Sequence, residues 1–165
     1  MKKFFLAILA IGLLFGVQQS NAQDRYDHRT FGLGIMVGEP SGLSAKLWTS
    51  PTTAFDFGLG WSVRNDQVDN GIDAGDRTHF HMDYLWHSFD AFHSEERFPL
   101  YYGVGGSINS GGGFNSALAV RGVIGVAWMP MRTPIDVFLE VVPTFQLTAT
   151  SGLYVDASLG ARYYF

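Results

Sequence analysis

LYVDASLGARYYF, residues 153–165, closes the chain and separates into two rows of side chains. Leu153, Val155, Ala157, Leu159, Ala161, Tyr163 and Phe165 make one row; Tyr154, Asp156, Ser158, Gly160, Arg162 and Tyr164 make the other. Successive side chains of a β-strand point to opposite faces, so a period of two specifies a strand with one apolar and one polar face. A helix would need apolar residues three and four apart, which this stretch does not supply.

The same period recurs upstream. In TAFDFGLGWSV (53–63), Phe55, Phe57, Leu59, Trp61 and Val63 oppose Ala54, Asp56, Gly58, Gly60 and Ser62. In HFHMDYLWH (79–87), Phe80, Met82, Tyr84 and Trp86 oppose His79, His81, Asp83 and His87. ALAVRGVIGVAWM (117–129) places Arg121 on a face of small residues, and IDVFLEVVPTFQL (135–147) gathers Asp136, Phe138, Glu140, Val142, Thr144 and Gln146 on one side. RTFGLGIMVG (29–38), GLSAKLWT (42–49) and PLYYGVGGSI (99–108) bring the count to eight strands, with no charged residue in any apolar row. The fold class expected is all-β. Pro143 lacks a ladder donor, so a bulge or local break is expected there.

The start of the chain reads differently. Lys2 and Lys3 precede an apolar run from Phe4 to Val17, then small and polar residues to Ala22. That is the layout of a secretory signal peptide over residues 1–22, cleaved to leave 23–165 as one domain. The run falls short of the ~20 residues of a spanning helix. The sequence has no Cys, so neither a disulfide nor an N-terminal lipid anchor on Cys is available. Without Lys2 and Lys3, 9 basic residues face 15 acidic ones, a charge of −6 that argues against nucleic acid.

Two architectures suit eight alternating strands. A soluble β-sandwich turns its apolar rows inward; a transmembrane barrel turns them to lipid and its polar rows to the lumen. Strands of 9–13 residues match the crossing length of a tilted membrane strand. Apolar-row aromatics gather near strand ends, as interfacial girdles do, and the export signal agrees. An even strand count returns both termini to one side.

The final SLGARYYF resembles the C-terminal assembly signal of outer-membrane β-barrels, with Ser158, Gly160, Tyr163 and the terminal Phe165 as its elements. FGLGIMVGEPSGLSAKLW, TAFDFGLGWS, HMDYLWH, FPLYYGVGG and GARYYF together resemble a family of small, uncharacterised outer-membrane β-barrels grouped with the OmpA-type eight-stranded transmembrane domains. The resemblance implies an eight-stranded antiparallel up-and-down transmembrane β-barrel in the outer membrane of a diderm bacterium. It implies no activity and no functional residues.

With both termini in the periplasm, the outer turns are 38–42, 64–77, 109–116 and 148–152, and the stretch 88–98 is an unusually long periplasmic turn. Eight strands enclose a space that side chains just fill. Into it point Lys46, Arg121 and Arg162, opposed by Asp56, Asp83, Asp136, Glu140 and Asp156, with His79, His81 and His87 among them. Unpaired, such charges would cost several kcal/mol, so a paired polar network and a largely plugged lumen are expected. His79, His81 and Asp83 have the spacing to meet a metal, but a closed ligand set is missing and the polar network explains them without one. Asp66, Asp69, Asp73 and Asp76 lack the spacing of a calcium loop and read as a solvated acidic outer loop, the best candidate for binding an extracellular ligand.

The expected function is therefore non-enzymatic: a structural or surface-binding outer-membrane barrel without cofactor. A narrow pore for ions or small solutes is the first alternative. A lipid-modifying enzyme is the second, disfavoured because the strand histidines point inward and His87 and Ser88 fall on opposite faces. The expected partners are outer-membrane lipid, the barrel-assembly machinery and a ligand of the outer loops, with the chain a monomer.

Overall fold

Eight strands follow one another without interruption by any helix among the described residues: β1 (Phe31–Gly38), β2 (Ser41–Trp48), β3 (Thr53–Trp61), β4 (Thr78–Ser88), β5 (Leu100–Gly111), β6 (Phe114–Trp128), β7 (Ile135–Gln146) and β8 (Gly152–Tyr164). The computed structural model describes residues 29–61, 78–91, 96–111, 114–130, 132–148 and 152–165. Each strand pairs antiparallel with the next and β8 returns to β1, which closes an up-and-down barrel. The expected signal peptide, residues 1–22, lies outside the described residues.

The registers fix the barrel's shape. Gly32 pairs with Lys46, Lys46 with Asp56, Asp56 with Asp83, Asp83 with Gly105, Gly105 with Arg121, Arg121 with Thr144 and Thr144 with Tyr154. The β8–β1 register, in which Gly32 opposes Tyr164, carries this path back to β1 ten residues beyond its start. A shear of ten over eight strands, at ~3.3 Å per residue and ~4.8 Å between strands, sets a strand tilt of about 40°.

The alternation read from the sequence is present on every strand. The buried row of β4 is His79, His81, Asp83, Leu85 and His87, and its outer row includes Phe80, Met82 and Trp86. On β8, Asp156, Ser158, Arg162 and Tyr164 are buried, while Leu153 and Phe165 are 73% and 66% exposed. A small apolar cluster of Met36, Leu85, Tyr101, Val123, Ala127, Phe138 and Val142 shares the interior with the charged groups. The large apolar side chains of the outer rows cover the exterior.

Aromatic residues concentrate on the outer face at the end that carries the C-terminus. Phe55, Tyr84, Trp86 and Tyr102 run edge to face and stacked across three strands, with centroids 5.0, 4.9 and 5.8 Å apart. Tyr163 and Phe165 continue the belt at 5.2 Å. Such contacts add about 0.5–1.5 kcal/mol each beyond the area they bury.

Two local expectations change, and the one at Pro143 is met by a break. The outer turn placed at 109–116 is largely strand: β5 runs to Gly111, β6 starts at Phe114, and Gly111 pairs with Phe114 across a register shift. Backbone pairing needs no apolar side chain, so a polar strand end continues past the apolar band. At Pro143 the β6–β7 pairing lapses between Arg121↔Thr144 and Ile124↔Val141, yet resumes in the same register, so there is a break and no bulge. The Leu147 amide donates to the Leu118 carbonyl. Hydrogen-bonded positions recur every second residue, so the nitrogen at 143 faces Gly122 and has no proton to give. Pairing of Pro143 with Val155 on the β8 side is intact. The long turn after β4 is partly an extension of the sheet, because Arg97 bridges to Met129 and the Pro99 carbonyl accepts from the Ala127 amide. Phe89 of that turn stacks toward His87 and Trp48, at 6.4 and 6.3 Å, across the mouth of the barrel.

Candidate functional site

The lumen holds the chain's polar chemistry. Lys46, Asp56, His79, His81, Asp83, His87, Arg121, Asp136, Glu140, Asp156 and Arg162 are all buried there, each no more than 6% exposed. Their inward direction follows from parity along the strands, and their partners follow from the shear.

Arg162 is the hub. Its Nε donates to Ser44 Oγ at 2.8 Å, Nη2 to Asp56 Oδ1 at 2.6 Å and Nη1 to Asp136 Oδ2 at 3.5 Å. The guanidinium carbon lies 3.8 Å from the Phe138 ring centroid, where a weakly hydrated cation gains from the aromatic face. Gly160 makes room for that ring, since a Cβ there would overlap Phe138. Asp136 Oδ2 also accepts from Tyr164 Oη at 2.7 Å and lies 3.9 Å from Lys46 Nζ.

Toward the C-terminal end, Lys46 Nζ donates to His87 Nε2 at 3.1 Å and sits between the rings of Tyr101 and Trp48. Trp48 packs on His87 at 4.4 Å. Tyr101 Oη donates to Glu140 Oε2 at 3.1 Å, and Ser158 Oγ donates to Glu140 Oε1 at 2.9 Å. Gly125 leaves the space that the Tyr101 ring occupies.

Toward the other end, Arg121 Nε lies 3.2 Å from Asp83 Oδ2 and its Nη1 donates to His79 Nε2 at 3.1 Å. Arginine has no acceptor, so His79 carries its proton on Nδ1, which donates to Asn109 Oδ1 at 2.6 Å. His79 Nε2 is also 3.0 Å from His81 Nδ1, which must then be the donor. His81 Nε2 faces Asp56 Oδ2 at 3.8 Å and Asp83 Oδ2 at 3.9 Å. Polar groups thus follow one another along the lumen from Asn109, through the two arginine clusters, to His87.

Arg121 takes Asp83, and Lys46 goes to Asp136 and His87. The barrel separates His79 and Asp83 as metal partners, because His79 spends both ring nitrogens on Asn109, Arg121 and His81. Ser44, Tyr101, Asn109 and Tyr164 complete the network; Ser44 and Tyr164 share inner rows with Lys46 and Arg162, the sequence signal that points to them, whereas β5, which carries Tyr101 and Asn109, holds no charged residue and gives no such signal. His87 is buried and Ser88 exposed, so these two do not combine as base and nucleophile. Within the C-terminal motif, Ser158 and Gly160 face inward while Tyr163 and Phe165 face outward, 46% and 66% exposed. The Phe165 amide donates to the Phe31 carbonyl, which ties the motif to the seam between β1 and β8. Asp66, Asp69, Asp73 and Asp76 lie outside the described residues.

Comparison with protein-family models finds no match to this chain, and comparison with curated proteins finds none either.

Proposed function

We propose that this chain is an integral outer-membrane β-barrel of the OmpA-like eight-stranded type, non-enzymatic, with a polar lumen plugged by its own side chains. One observation carries the reading: the polarity of the barrel is inverted, with eight charged side chains buried inside and apolar rows covering the outside. Monomeric proteins in water rarely expose contiguous apolar patches beyond a few hundred Å², whereas a lipid bilayer requires such an exterior. At ~3.3 Å per residue and about 40° of tilt, the 11–15-residue strands β4–β8 rise roughly 28–38 Å and cover the ~25 Å apolar band of an outer-membrane barrel, while β1–β3, at 8–9 residues, rise roughly 20–23 Å. A closed barrel leaves no unpaired sheet edge in lipid.

The aromatic belt at the C-terminal end supports a membrane interface there, with Tyr163 and Phe165 presented outward for the barrel-assembly machinery. In this orientation both termini lie in the periplasm, and the acidic 64–77 segment meets the exterior as the element that binds an extracellular partner. Lipid and the assembly machinery are the other partners, and the barrel works as a monomer.

The plug rests on Arg162, Phe138 and Tyr101 toward the C-terminal end, on Arg121 toward the other, and on Phe89 against Trp48 and His87. The test is single-channel recording of the refolded chain in a planar bilayer, with insertion verified separately by the heat-dependent gel shift of a folded barrel. Inserted protein without discrete current steps supports the reading. Reproducible steps from inserted protein refute the plug and favour the narrow pore.

A further inference from the structure

We propose that Asp56, His81 and Asp83 form an internal binding site for a divalent first-row transition-metal ion. Asp56 and Asp83 are direct cross-strand partners on β3 and β4, and His81 stands two residues before Asp83 on the same inner face. Like charges placed directly opposite are destabilising, and all three residues are no more than 2% exposed. One ligand atom from each can be chosen so that all lie within 4.8 Å of one another.

The hydrogen-bond directions decide what belongs between them. Arg121 donates to His79 Nε2, so His79 accepts there and His81 must give its Nδ1 proton to it. Nε2 is then the ring nitrogen that His81 turns toward the two carboxylates. Among the described residues no group stands at hydrogen-bond distance from that Nε2 or from Asp83 Oδ1. The separations of 3.8 and 3.9 Å are about 1 Å too long for N–H···O bonds of ~2.9 Å. Donors held ~2.0–2.2 Å from a tetrahedral ion stand about 3.3–3.6 Å apart, which side-chain movements of up to about 1 Å supply.

Three further features agree. Asp56 binds Arg162 through Oδ1 and keeps Oδ2 for the site, while His81 is oriented through its other ring nitrogen by His79, the outer support that metal-binding imidazoles and carboxylates ordinarily have. Space is reserved on both flanks: Gly58 opposes His81 and Gly105 opposes Asp83, and a Cβ on either would overlap its partner's side chain. Charge agrees as well. Among the described residues the lumen buries five carboxylates, on Asp56, Asp83, Asp136, Glu140 and Asp156, against three cations, Lys46, Arg121 and Arg162. Acidic side chains thus outnumber basic ones in the lumen, a balance that a bound cation offsets. One imidazole nitrogen and two carboxylates suit zinc, manganese or ferrous iron; calcium would need six or more oxygens and cuprous copper softer ligands. The sequence alone favoured His79 over Asp56 in such a set and a network with no metal; the β3–β4 register exchanges those two residues.

The mature chain, carrying a tag without histidine, is refolded in detergent with zinc, passed through gel filtration, and analysed for metal by mass spectrometry, with folding verified by the heat-dependent gel shift. About one zinc per folded chain is expected, falling at least tenfold in His81→Gln and in Asp83→Asn. The double variant His28→Gln, His93→Gln, which removes histidines outside the strands, keeps the wild-type content. Folded wild type holding less than a tenth of an equivalent overturns the proposal, as does full retention by folded H81Q. Should H81Q and D83N fail to fold, cobalt-substituted wild type decides: visible d–d bands of a site with nitrogen and oxygen ligands support it, and a spectrum indistinguishable from aqueous cobalt overturns it.

Discussion

Replacing Arg162 with Met tests whether the lumen network is the barrel's main internal constraint. Met keeps much of the stem's packing against Phe138 and removes three donor contacts, to Ser44 at 2.8 Å, Asp56 at 2.6 Å and Asp136 at 3.5 Å. The losses are unequal. Ser44 forfeits one bond to a charged group, about 1.5–3 kcal/mol at most and less once the hydroxyl rotates. Asp136 keeps Tyr164 at 2.7 Å and Lys46 at 3.9 Å. Asp56 loses its close cation while staying 2% exposed opposite Asp83. Stranding one partner of a buried ion pair costs about 3–5 kcal/mol, which is the destabilisation expected for R162M. Urea unfolding of barrels refolded into lipid vesicles, followed by tryptophan fluorescence in the presence of a chelator, measures it. Adding Asp56→Asn to R162M removes the stranded charge and should restore at least about 1.5 kcal/mol, a coupling that only neighbouring groups show. A loss below about 1 kcal/mol for R162M, or a double variant whose losses simply add, refutes the network as a source of stability.

Other expectations follow from single contacts. Gly125→Ala drives a methyl into the Tyr101 ring and displaces its hydroxyl from Glu140, so the urea midpoint should fall by the equivalent of about 1–3 kcal/mol; an unchanged midpoint would mean the ring is not held there. Val141→Arg puts a charge on the outer face halfway along β7 and should cost about 2–4 kcal/mol in vesicles, whereas a water-facing position would register almost nothing. Pro143→Val gives residue 143 an amide aimed at Gly122, so hydrogen exchange at that amide should be slow and the β6–β7 ladder continuous; fast exchange there would contradict the register drawn through the break.

How far the sequence carried differs between faces and partners. Which residues enter the lumen was legible, because direction along a strand depends on parity alone: the Asp136, Arg162 and His81 rows were set once a single neighbour was placed. Which residues meet inside was not legible. Lys46 on β2 reaches Asp136 on β7, strands that are not neighbours, a meeting set by the shear, and His81 approaches Asp56 because the β3–β4 register sets Gly58 opposite His81 and Asp56 opposite Asp83. Shear is a sum over eight registers, and no one strand displays it. Asn109 and Ser110 read as loop because they are polar and precede glycines, yet their backbones pair with β4. Pro143 could be flagged from its chemistry, but the side on which the ladder fails depends on which neighbour its nitrogen faces, and that again is register. Tyr163 and Phe165 fall on the outer row at the seam, as the parity of β8 alone dictates.

The central claim, an inverted barrel with lipid outside and a filled interior, is tested most directly by the tryptophans. Trp86 and Trp128 lie on the outer face, 37% and 41% exposed, whereas Trp48 belongs to an inner row and packs on His87 at 4.4 Å. Single-tryptophan variants, the others replaced by Phe, are refolded into vesicles whose acyl chains carry bromine, a contact quencher. Trp86 and Trp128 should lose most of their emission and Trp48 should keep most of its own. Equal quenching of all three, or none of Trp86 and Trp128, would contradict the inversion.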